Sequence, residues 1–130
     1  MKRICCFAVI LSCLMFTPGA VRAADVLVPG ELKKLVTEQT LFFISVRTQE
    51  RMAVFFSEKG WFGLKRPRKG LIHGKYSLSG NQLCLSFGPR KQCGFIEKRK
   101  KGFMWMDPYQ NLPISRIPHV LTGNEVWRVG

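Results

Sequence analysis

The chain is short of the side chains on which most enzymes depend. It has two histidines and eight acidic residues against 21 lysines and arginines. A hydrolase needs a nucleophile, a base and an oxyanion hole within reach of one another. His73 and His119 have no such neighbours: G-x-S-x-G, H-E-x-x-H and cysteine–histidine signatures are all missing. Glu58 and Glu97 sit beside basic turns, and Asp107 precedes Pro108, so no carboxylate pair for glycoside cleavage stands out. The glycines are dispersed at turns, which excludes a phosphate-cradling loop. Cys84 and Cys93, with no histidine or further cysteine nearby, do not build a zinc site. No catalytic residue, metal or cofactor is expected.

Long apolar runs are also scarce. The one candidate, Ile4–Phe16, is too short to cross a bilayer. It follows the positive Met1-Lys2-Arg3 and precedes Thr17-Pro18-Gly19 and Val21-Arg22-Ala23. That order predicts a secretory leader over 1–23, cleaved after Ala23, and a single domain over 24–130. A membrane anchor and lipidation at Cys13 are the alternatives. Removing the leader takes away Cys5, Cys6 and Cys13 and leaves two cysteines. An even count in an exported chain implies a Cys84–Cys93 disulfide. The expected location is periplasmic or secreted, with no transmembrane span in the mature chain.

What the chain has in excess is positive charge. Its formal net charge is +13, and loss of Lys2, Arg3 and Arg22 leaves +10. Such a field favours anionic partners. The alternative is a basic exported protein whose cations only keep its surface wet.

The periodicity is mostly that of strands. Pro29, Glu31 and the 3- and 4-residue spacing of Leu32, Leu35 and Val36 predict a helix over about 30–38. Thr40–Arg47, Met52–Phe56, Trp61–Lys65 and Leu71–Leu78 read as strands, separated by polar or glycine-containing turns. Gln82–Phe87 alternates, with Leu83, Leu85 and Phe87 on one face and Cys84 on the other. Gly88-Pro89 turns the chain, and Gln92–Lys98 returns with Cys93 opposite Cys84. Phe103–Met106 is a further strand. Asp107–Val120, with Pro108, Pro113 and Pro118, reads as an irregular loop, and Glu125–Val129 as a final strand. The fold class is mainly β: a single curled antiparallel sheet, barrel-like or a half-barrel meander, with one short N-terminal helix over an edge or open end.

The order Gly30-Glu31-Leu32, Glu58-Lys59-Gly60, Gly74-Lys75-Tyr76, Gly80-Asn81, Leu83-Cys84 and Cys93 resembles a family of small exported proteobacterial proteins of unknown function. The resemblance covers about Pro29 to Asp107. Tyr76 stands where that family often has tryptophan, and the basic loops are outside its pattern. It implies an exported β-rich fold and no catalytic residues.

The candidate anion-binding residues form two runs, Lys65, Arg66, Arg68 and Lys69, and Lys98, Arg99, Lys100 and Lys101. Aromatic residues interleave with them: Trp61, Phe62 and Tyr76, then Phe103 and Trp105. The rings either stack on a ligand or fill the core. The expected function is an exported, non-enzymatic binding or accessory protein of the bacterial envelope. Its partner is an anionic envelope component or another protein, and nucleic acid is not expected. The alternatives are a small-ligand carrier in a curled sheet, or a small envelope enzyme using His73 or His119.

Overall fold

The computed structural model describes residues 25–130. The leader expected over 1–23 and the alternative site at Cys13 lie outside the described residues.

Helix α1 (Pro29–Val36) is followed by eight strands. They are β1 (Gln39–Ser45), β2 (Arg51–Phe56), β3 (Trp61–Lys65), β4 (Ile72–Ser79), β5 (Gln82–Phe87), β6 (Arg90–Lys98), β7 (Phe103–Met106) and β8 (Pro113–Thr122). Each pairs antiparallel with the next, and β8 pairs back onto β1, so the sheet is a closed barrel. The curled antiparallel sheet expected from the sequence is formed, and its curl is complete.

Alternation along each strand decides what lies inside. Leu41, Phe43, Val54, Phe56, Phe62, Leu64, Leu83, Leu85, Ile96, Trp105 and Ile117 are each at most 5% exposed and share one core. Eight strands leave an interior just wide enough for side chains to fill. The largest rings fit because glycines lie beside them. A Cβ on Gly74 would come within 2.4 Å of the Phe62 ring, and one on Gly94 within 2.6 Å of the Trp105 indole nitrogen. Trp105 also meets Phe43 edge to face at 5.8 Å.

Helix α1 covers one end of the barrel. An isolated eight-residue helix is unstable in water, so its apolar face must pack: Leu32 and Val36, with Leu27, complete the barrel core. The helix ends two residues before the expected boundary. Glu38 adopts φ 58°, and its N–H donates to the Phe56 carbonyl at 2.7 Å, which turns the chain into β1. Beneath the helix, Tyr76 points inward, packs on Phe56 and donates its hydroxyl to the Ser57 carbonyl at 2.6 Å.

Two expectations for the tail are corrected. Asp107–Val120 is not wholly an irregular loop, because residues from Pro113 onward form the strand that closes the barrel. The prolines are accommodated by position: Pro113 starts β8, and Pro118 falls where the β1–β8 register shifts at a bulge. Glu125–Val129 is not a strand, since closure leaves no edge for it to join. It forms a 3-10 helix, Val126–Val129, in which three residues per turn align Val126 with Val129. Both pack on the outer side of the barrel against Ala53 and Phe55. The seam is clasped by Thr40, which is fully buried. Its hydroxyl donates to the Gly123 carbonyl at 2.6 Å and accepts from the Glu125 N–H at 2.9 Å.

Cys84 and Cys93 are paired as expected, directly opposite each other on β5 and β6, with a Cα–Cα distance of 4.0 Å. Closing so short a loop stabilises by about 2–3 kcal/mol on the loop-entropy estimate. Cys84→Ser should therefore lower the melting temperature, as should reductant on the wild type; identical melting curves in every case would show that the bridge contributes nothing. Trp105→Ala removes a ring from the interior and should cost about 3–5 kcal/mol in denaturant unfolding. A near-neutral value would contradict its placement in the core.

Burial raises the pKa of the Tyr76 phenol, and the negative charges of Glu38 and Glu58 push the same way. Its folded pKa thus exceeds the unfolded value of about 10. The stability linked to this proton is full below that value and is lost as pH rises through the folded pKa. Alkaline absorbance titration of the folded protein should show a phenol ionising later than in denaturant. Tyr76→Phe should abolish that late step; its persistence would assign it elsewhere.

Candidate anion-binding surface

An up-and-down barrel sends its loops alternately to two ends. The loops after β2, β4 and β6 lie at the end that α1 covers, and those after β1, β3, β5 and β7 lie at the far end. The two basic runs are therefore separated. Lys65–Lys69 belongs to the third hairpin and lies at the far end. Lys98–Lys101 belongs to the sixth and lies beside the helix.

The helix end is close to neutral. Six of the eight acids are there: Asp25, Glu31, Glu38, Glu58, Glu97 and Glu125. Lys98 Nζ donates to Glu31 Oε2 at 3.1 Å, and this hydrogen bond is the main cause of the lowered Glu31 pKa. Arg99 Nη2 donates to Glu97 Oε2 at 2.6 Å, and Glu97 is buried. Of the second run, Lys100 and Lys101 form no ion pair among the described residues.

The far end is different. Hairpin three brings Lys65, Arg66, Arg68 and Lys69. The first hairpin adds Arg47 and Arg51, and the fifth adds Arg90 and Lys91, so these three hairpins bring eight cations among the described residues. Only two acids, Glu50 and Asp107, share that end. Asp107 is occupied in its own turn, where its carboxylate accepts from the Tyr109 N–H at 2.8 Å. Lys65 is structural: its ammonium group donates to the carbonyls of Arg66 and Lys69, at 3.3 and 3.1 Å, and folds over the loop. That brace presents Arg68 and Lys69, both exposed, to solvent. The sequence runs missed Arg47, Arg51, Arg90 and Lys91 because these residues are scattered. Counting hairpins by odd and even would have gathered them.

The aromatic residues divide just as sharply. Phe62 and Trp105 are core. Phe103 and Tyr76 point inward and pack against it. Trp61 is on the outer wall, 37% exposed, and meets Phe55 and His73 edge to face at 5.8 Å. His73 and His119 both point outward and are exposed. Among the described residues neither forms a hydrogen bond or ion pair with a carboxylate, and no group of three histidine, cysteine or acidic side chains is placed to hold a metal. His119 borders a groove of about 730 Å³ on the outer wall, which Phe42, Ile44, Leu121, Arg51 and Arg128 also line.

Comparison with protein-family models, curated proteins and solved structures finds no match for this chain.

Proposed function

We propose that this chain is an exported, non-enzymatic binding protein of the bacterial envelope that engages an anionic partner through the far end of its barrel. The observation that carries this reading is the imbalance there of eight cations against two acids, in a molecule whose other end is nearly balanced. Uncompensated charge costs some stability through self-repulsion and raises the rate of encounter with an opposite charge. The disulfide supports an oxidising compartment, and no described helix is long and apolar enough to cross a membrane. The leader-like Met1–Ala23 and the resemblance to small exported proteobacterial proteins support the same location.

A small-ligand carrier is the second reading, and the outer groove favours it over the interior. The inward positions are filled by large side chains, whereas the groove has a volume usual for ligand sites.

Retention on immobilised heparin, eluted with salt, separates the two ends. Replacing Arg68 and Lys69 by glutamine should shift elution to clearly lower salt. Replacing Lys100 and Lys101 should shift it less, because nearby acids already offset that end. Equal shifts for the two variants would show that net charge, and not the far end, governs binding.

A further inference from the structure

We infer that the partner of the far end is the surface of an anionic lipid bilayer, met end-on with the tip of the barrel touching the acyl boundary. This rests on the anionic-partner reading above and adds to it an observation that charge does not explain. The same end carries exposed apolar side chains. Tyr109 is 94% exposed, Leu112 56%, Leu71 47% and Ile72 42%. A soluble polyanion offers nothing to leucine and isoleucine. A bilayer offers both phosphate for the cations and hydrocarbon for the tip.

The apolar tip is held in place by its loop. In the β7–β8 loop, Asp107 accepts from the backbone N–H groups of Tyr109 and Gln110, at 2.8 and 3.4 Å. The Asp107 N–H in turn donates to the Leu112 carbonyl at 2.8 Å, and the Asn111 N–H to the Asp107 carbonyl at 3.0 Å. Asn111 closes the turn at φ 54°. The loop is thus braced with Tyr109 and Leu112 in solvent, so insertion requires little further ordering. Tyrosine suits the headgroup level, with an apolar ring and a polar tip. Around it, Arg68, Lys69, Arg90 and Lys91 are positioned for lipid phosphates. On the wall the exposed Lys75 occupies an outward position of β4, and the apolar groove of the β1–β8 side lies apart from the cation-rich third and fifth hairpins. Cations and exposed apolar side chains coincide at the end, and contact is assigned there.

The test uses protein expressed as the full chain and purified after processing, with its start verified by mass. It is sedimented with vesicles of phosphatidylcholine alone or with added phosphatidylglycerol. Binding is expected only with phosphatidylglycerol, and it should weaken about fivefold for each far-end cation removed. Tyr109→Ser with Leu112→Ser should lower vesicle binding at least tenfold and leave heparin retention unchanged. Melting temperatures equal to wild type would verify that these exposed substitutions leave the fold intact, and Tyr109→Ser alone provides a milder check. If wild type is retained on heparin but ignores phosphatidylglycerol vesicles, or if the tip variant binds them as well as wild type, the lipid inference is overturned and the anionic-partner reading stands. If wild type binds neither, both fall.

Discussion

The pairing of β8 with β1 is the constraint on which the rest depends. A sheet of this size left open would expose two rows of unpaired N–H and C=O groups, which template aggregation. Closure removes both edges and creates the interior that the large apolar residues fill. It also fixes what the flanking segments can do. Val126–Val129, denied an edge, folds into a 3-10 helix against the outer wall. Helix α1, too short to stand alone, has one apolar surface to join, the end of the barrel. Thr40 holds the junction from the outer face, buried under the chain that follows β8: its one hydroxyl serves both a carbonyl and an N–H of that segment.

That closure was the part of the fold least visible in the sequence, for a physical reason. Pro113 and Pro118 forbid ordinary ladder bonds at their own positions, so the segment lacks the look of a central strand. It is central nonetheless, because one proline begins the strand and the other sits in a bulge. The β5–β6 hairpin was legible for the opposite reason. Alternation of Leu83, Leu85 and Phe87, the Gly88-Pro89 turn and the facing cysteines all specify one register. Agreement between independent signals makes a segment readable. Val126-Trp127-Arg128-Val129 has strand-like composition, and only the absence of a partner edge, a property of the whole barrel, decides against it.

The candidate surface was half legible. The run Lys65–Lys69 is conspicuous in the sequence and ends up where the charge is uncompensated. The run Lys98–Lys101 is just as conspicuous, yet Glu97 beside it and Glu31, 67 positions from Lys98, offset half of it. Glu97 is visible next to the run, but local sequence cannot report Glu31, which folding brings in. Nor could it assign the tryptophans. Trp105 and Trp61 lie in similar strands, but one turns inward over a glycine of the neighbouring strand and the other looks outward beside a histidine.

Because loops alternate between ends, strand number acts on this molecule much as a reading frame acts on a message. Losing or gaining one strand ahead of a loop would carry every later loop to the opposite end and mix the cation-rich turns with the acids around α1. Losing or gaining a whole hairpin would leave the polarity intact. The separation of charge is therefore stored in the count of strands as much as in the identity of any lysine or arginine. Changes in pairs are the ones the chain can absorb without scrambling its two ends.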